Sequence, residues 1–137
     1  MDEECEPVIM DIGSGTLKAG VASDDAPKCN CPMIVGTPKS PGLMVGMEVK
    51  DFYYCHEAIE KYKLLNVQSP VKEGIVTDLD MLESIFKNEI FNNQLRISPD
   101  EHRMILSEPP NNPKQNREEL VELLIEGFQV PKVYLGK

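Results

Sequence analysis

The 137-residue chain carries 23 acidic against 14 basic residues, a formal charge of −9, and such a balance repels nucleic acid and anionic lipid surfaces. Its 41% apolar and 27% charged residues suit a folded chain of one domain and exclude the disordered and membrane-embedded classes. No apolar run approaches the roughly 20 residues of a membrane helix, and the acidic start Met1-Asp2-Glu3-Glu4-Cys5-Glu6 is unlike a basic signal peptide, so a cytoplasmic location is expected.

Val8 to Asp11 is short, apolar and β-prone; Gly13-Ser14-Gly15 makes a turn, and Thr16 to Ala22 can alternate between two faces. This reads as strand, glycine turn, strand. Asp24-Asp25-Ala26-Pro27 is a turn by composition, and Cys31 to Val35 is a candidate third strand. From Gly36 to Phe52 glycines and prolines punctuate a loop around the apolar Leu43, Met44, Val45 and Met47. Its tip either folds back onto its own domain or presents an apolar patch to a partner. Glu57 to Lys63 fits a short helix, and Lys72-Glu73-Gly74-Ile75-Val76 a turn leading into an extended segment.

Further along, Asp78 or Asp80 can cap a helix whose Leu82, Ile85, Phe86 and Ile90 share one face. Met104-Ile105-Leu106 suits a buried strand. A second helix is framed by Asn112 as N-cap, Pro113 at its first position and Gln115 beyond; Leu120, Leu123, Leu124 and Phe128 line its apolar face. Val133-Tyr134-Leu135 opens a last strand. The order is mixed α/β.

Two constellations carry potential chemistry. Asp11-Ile12-Gly13-Ser14-Gly15-Thr16-Leu17-Lys18 combines a carboxylate, glycines, a hydroxyl and a lysine. Glycines let backbone amides approach phosphate oxygens, the hydroxyl donates, the lysine adds charge, and the carboxylate can orient the water shell of a divalent cation. Lys18 does not follow a glycine and no helix opens after it, so this is a hairpin and not a Walker A loop; taken alone, a glycine turn between strands is a weak signal. Second, Cys29, Cys31, Cys55 and His56 supply four possible zinc ligands, although the spacing is atypical and reduced thiols are the alternative reading.

The motifs DIGSGTLKAG, DDAPK, PMIVGTPK, GLMVGMEVKDFY, EGIVTD, LRISPDEH and LSEPPNNPKQNREEL resemble actin, in order, across the whole chain, with about one inserted residue between Asp78 and Leu95. The resemblance implies the N-terminal portion of the actin, Hsp70 and sugar-kinase (ribonuclease-H-like) α/β fold, a mixed sheet with flanking helices. It implies a large outer subdomain from 1–32 and 70–137, and a small one, 33–69, bearing a DNase-I-binding-type loop.

It also implies roles. Gly13, Ser14, Gly15, Thr16, Leu17 and Lys18 form the first phosphate loop for ATP or ADP, with Asp11 reaching Mg or Ca through water. Met44, Val45 and Met47 become a subunit contact, the two methionines matching those that oxidation enzymes attack in the family. The acidic arm Asp2, Glu3 and Glu4 resembles one that attracts basic partner surfaces, or is a solvated tail. Partners would be actin-like subunits and actin-binding proteins in the cytoskeleton, with no nucleic acid and no membrane.

The chain departs from the family pattern where Ile12 stands for a usual asparagine, Lys72 for a glutamate and Glu73 for a methylated histidine. The family's catalytic glutamine, second phosphate loop and histidine lie beyond Lys137, so no catalytic residue is assigned here and the chain alone is expected to bind nucleotide weakly and not hydrolyse it. The alternative expectation is a truncated interaction or capping module without turnover.

Overall fold

The structure, a computed structural model, describes residues 6–13, 15–23, 25–39, 51–72, 75–108 and 112–136. Its main sheet has five strands: β1 (Val8–Ile12), β2 (Thr16–Val21), β3 (Cys29–Pro32), β9 (Met104–Ser107) and β10 (Val133–Gly136), in the order β10-β9-β1-β2-β3. The first three form an antiparallel meander, whereas β1, β9 and β10 run parallel, giving a mixed sheet. A smaller sheet places β4 (Val35–Pro38) between β5 (Tyr53–Tyr54) and β6 (Leu65–Gln68), next to the short helix α1 (His56–Glu60). A two-residue pair, β7 (Val71–Lys72) with β8 (Ile75–Val76), follows.

Alternation along the strands decides which face of the main sheet is core. Val8, Met10 and Ile12 of β1, Leu17 and Ala19 of β2, and Met104 and Leu106 of β9 are all buried, while Ile9, Asp11, Lys18 and Ile105 lie on the opposite, exposed face. Against the buried face pack α2 (Leu79–Ile85), through Leu82 and Ile85, and α3 (Lys114–Glu122), through Leu120. The Asp78 carboxylate accepts the Met81 amide at 3.0 Å, so it is the N-cap of α2.

Both helices continue into wider, π-type turns, Phe86–Gln94 after α2 and Leu123–Gly127 after α3. Ile90 and Phe91, on the first of these, are both buried in the core. Phe86, Phe91 and Phe128 close this end with ring centroids 5.2 to 6.2 Å apart.

Several local expectations change. Strand β4 runs on into the stretch read as a glycine and proline loop, and Gly36 lets the Leu65 side chain press against its backbone: a Cβ there would lie 2.7 Å from Leu65 Cδ1. Third-strand residues Cys31 to Val35 divide between β3 and β4. Asn112 does not cap α3; Pro113 occupies that position in an extended conformation (ψ 142°), and the Asn112 amide donates to Glu108 instead. Ile105 is 38% exposed, so β9 is buried on one face only.

Candidate functional site

The three parallel strands end on one edge of the main sheet, at Ile12, Ser107 and Gly136. In open α/β sheets ligands gather at the carboxyl ends of parallel strands. The glycine turn of the β1–β2 hairpin sits here. The Gly13 amide donates to the Thr16 carbonyl at 2.9 Å and the Gly15 carbonyl accepts the Met33 amide at 3.0 Å, fixing the turn both to its own hairpin and to the chain leaving β3. A Cβ on Gly13 would lie 3.2 Å from the Thr16 carbonyl oxygen, whereas one on Gly15 would meet nothing within 4 Å. The backbone is therefore tight at the first glycine and open to a ligand at the second.

Strand register puts Asp11 directly opposite Lys18, both on the exposed face. A carboxylate and an ammonium held side by side on antiparallel strands suit a hydrated cation bound to phosphate, one group for each charge. The Ser107 hydroxyl donates to Asp11 Oδ1 at 2.7 Å, orienting the carboxylate from the neighbouring strand. Lys18 also faces Asn30 of β3 in register. Beside them a shallow groove of about 270 Å³ includes Ile9, Asp11, Lys18 and Asp25 in its walls.

Ile12 points the other way, into the main core, with 7% exposure. An apolar residue is therefore at home where the family has a polar one. Thr16 is exposed and Leu17 buried, so of the proposed loop residues Leu17 can offer a ligand only its backbone. Ser14, Met44, Val45, Met47, Asp2, Glu3, Glu4 and Glu73 lie outside the described residues.

Sequence reasoning missed the groups that brace this edge. Ser107 was invisible because its role depends on β9 pairing with β1, a contact 96 residues away along the chain. Glu108 follows it, 9% exposed, and is bonded by Arg117 Nε at 2.9 Å and by the Asn112 amide at 3.3 Å. Its own amide donates to the Gly136 carbonyl at 2.8 Å, which ties β10 and α3 to the same edge.

Cys29, Cys31 and Cys55 are buried free thiols, with Cys29 Sγ 3.1 Å from Cys31 Sγ. Among the described residues no group of three or more His, Cys, Asp or Glu side chains is arranged to hold a metal ion. His56 instead turns its Nε2 to the Asn30 carbonyl at 3.0 Å. Among the described residues no helix is long and apolar enough to cross a membrane.

Comparison with known proteins agrees with the fold. The protein-family model described as Actin matches residues 2–137. A curated relative, an actin-like protein of Neurospora crassa, is 40% identical over 129 residues, which covers 93% of this chain and 34% of the relative. The chain thus spans about a third of the length of that relative. With its mixed five-stranded sheet and flanking helices, and with a family match over almost every residue, the chain belongs to the actin family.

Proposed function

We propose that this chain supplies the first phosphate loop of an ATP-binding, actin-like assembly subunit of the cytoskeleton. The observation that carries the reading is the register of Asp11 against Lys18 beside a two-glycine turn, at the carboxyl edge of the parallel strands. Backbone amides of Gly13 to Leu17 and the Lys18 ammonium would hold phosphate oxygens, and Ser14 would add a hydroxyl. Asp11, oriented by Ser107, would take the water shell of Mg or Ca. When bound, the cation would neutralise phosphate charge.

Hydrolysis needs donors on several sides of the transferring group, and a single hairpin offers one. The chain alone is therefore a weak nucleotide binder without turnover. In the longer form that the relative's length suggests, actin-like subunits and actin-binding proteins are the partners, met through Met44, Val45 and Met47 and through the acidic arm Asp2, Glu3 and Glu4, in the cytoplasm.

Titration of Mg·ATP into the chain, with Lys18→Ala beside it, tests this reading. Weak binding that the variant abolishes is the expected result. Equal heats from the two chains would overturn the phosphate-loop assignment and leave a module that acts only by protein contact.

A further inference from the structure

The end of the molecule closed by Phe86, Phe91 and Phe128 carries a groove that the phosphate-loop reading leaves unused. Its volume is about 760 Å³, and its walls include Phe91, Ile97 and Phe128 together with Lys87, Asn92 and Arg96. It shares no residue with the hairpin from Asp11 to Lys18, and among the described residues no carboxylate lines it. Two cations thus face one groove without an acidic neighbour in its walls, in a chain of formal charge −9. That is a local reversal of sign.

Acidic residues close by in sequence are engaged elsewhere. Glu89 Oε2 accepts the side-chain amides of Asn93 at 3.2 Å and Gln94 at 2.6 Å, and Asp100 accepts the Ser98 hydroxyl. Among the described residues neither Lys87 nor Arg96 forms an ion pair, and both are exposed. Their charges are open to a partner.

The groove is also set before anything enters it. Its Phe91 and Phe128 rings meet edge-on at 5.2 Å. The Leu95 amide donates to the Ile90 carbonyl at 2.8 Å and the Ile97 amide to the Phe91 carbonyl at 3.0 Å, tying the outgoing chain back to the helical segment. Between these two anchors Arg96 is held at φ 54°, the left-handed position where a helix end usually carries glycine. A long cationic side chain kept there against backbone strain is a pattern that recurs at ligand clamps. Fixed walls lower the ordering cost of binding.

We propose that this groove docks an acidic segment of a partner protein, seating one apolar side chain on Phe91, Ile97 and Phe128 and pairing flanking carboxylates with Lys87 and Arg96. Charge decides the partner's chemistry. An apolar floor alone would accept any hydrophobic segment, whereas two unpaired cations at its rim admit acidic segments and repel basic ones. The Asn92 amide can bond the segment's backbone, and the volume suits a few residues and no more. Aromatic and arginine side chains are those that concentrate binding energy at interfaces. The proposal does not depend on the nucleotide assignment.

The test selects a random peptide library on the full chain and measures the enriched peptides by fluorescence anisotropy. They should carry Asp or Glu on both sides of a Leu, Met or Phe, and should weaken as salt screens the pairs. Lys87→Glu with Arg96→Glu should lower their affinity about tenfold, the sum expected for two exposed pairs turned repulsive. Arg96→Gly should lower it too while the urea midpoint holds or rises, because glycine adopts the left-handed conformation freely; this separates lost contact from lost fold. No enrichment, neutral or basic enriched peptides, or equal affinity for the doubly reversed chain overturns the proposal. Affinity that rises when Asp2→Asn, Glu3→Gln and Glu4→Gln are made together would assign the groove to the chain's own acidic arm, and would overturn a separate partner.

Discussion

Ser107 at the end of β9 donates a 2.7 Å hydrogen bond to Asp11 of β1, across 96 residues of sequence. The bond joins the hairpin to the parallel part of the sheet through side chains, in addition to the β1–β9 backbone ladder. It also fixes which carboxylate oxygen remains free for a ligand.

Replacing Ser107 by Ala removes the donor while the partly exposed Asp11 remains hydrated. The expected loss of stability is about 1 kcal/mol, from the usual net worth of a hydrogen bond. Urea denaturation measures it. A larger effect is expected on cation-dependent nucleotide binding, since the carboxylate loses its orientation; unchanged affinity in Ser107→Ala would show that Asp11 needs no brace.

Glu108 and Arg117 define a second brace on the same edge. The Glu108 side chain is 5% exposed and that of Arg117 47% exposed. Arg117→Met should destabilise by about 2 kcal/mol, because it strands a buried carboxylate, an effect below that of a wholly buried pair because solvent still reaches the arginine. Glu108→Gln combined with Arg117→Met should recover part of that loss. A double-mutant cycle by denaturation checks the sign, and additive effects would deny the coupling.

Gly36 gives a steric prediction. A Cβ there would lie 2.7 Å from Leu65 Cδ1 and 3.1 Å from Leu65 Cβ, and the second atom cannot swing aside. Gly36→Ala should cost about 1 to 3 kcal/mol, the range for overpacking. Leu65→Ala added to it should cost less than Leu65→Ala costs in the parent, since the new methyl fills part of the space. Thermal unfolding of the four chains decides it.

Local signals were legible where a residue's neighbours in sequence set its environment. The alternation Val8, Met10, Ile12 and the helical spacing Leu82, Ile85, Phe86, Ile90 both mark core faces, and Asp78 caps as its type suggests. Asn112 misled because Pro113 takes an extended conformation and Glu108 captures the asparagine amide. Strands β5, β6 and β7 left no readable period: β5 and β7 have two residues each, and β6 buries only Leu65 of its four. At the candidate site the hairpin from Asp11 to Lys18 was readable as strand, turn and strand, while its phosphate reading came only with the family resemblance. Ser107 and Glu108 were not, because only strand pairing and the turn after β9 bring them there. The gathering of Cys29, Cys31 and Cys55 in one buried core is of the same kind, made by the fold and not by spacing.

That meeting has a consequence for stability against pH. Hydrogen bonds from Cys29 and Cys55 lower Cys31 from its ordinary 9.0 to about 3, while the bond to Cys31, with burial, raises Cys29 and Cys55; Glu89 pushes the latter two in the same direction and His56 favours the Cys31 thiolate. A depressed folded value means stability present above the unfolded pKa and lost as pH falls toward the folded one, so the Cys31 contribution should fade from about pH 9 down to about 3. Raised values act oppositely: Cys29 and Cys55 contribute below the ordinary 9.0 and lose that contribution as pH rises beyond it. The thiol contribution to stability should therefore peak near pH 9 and fall on either side. Denaturant midpoints across pH, compared with those of Cys31→Ser, isolate it. A difference curve that stays flat from neutral pH to beyond 9 would mean that the three thiols ionise in the folded chain just as they do in the unfolded one.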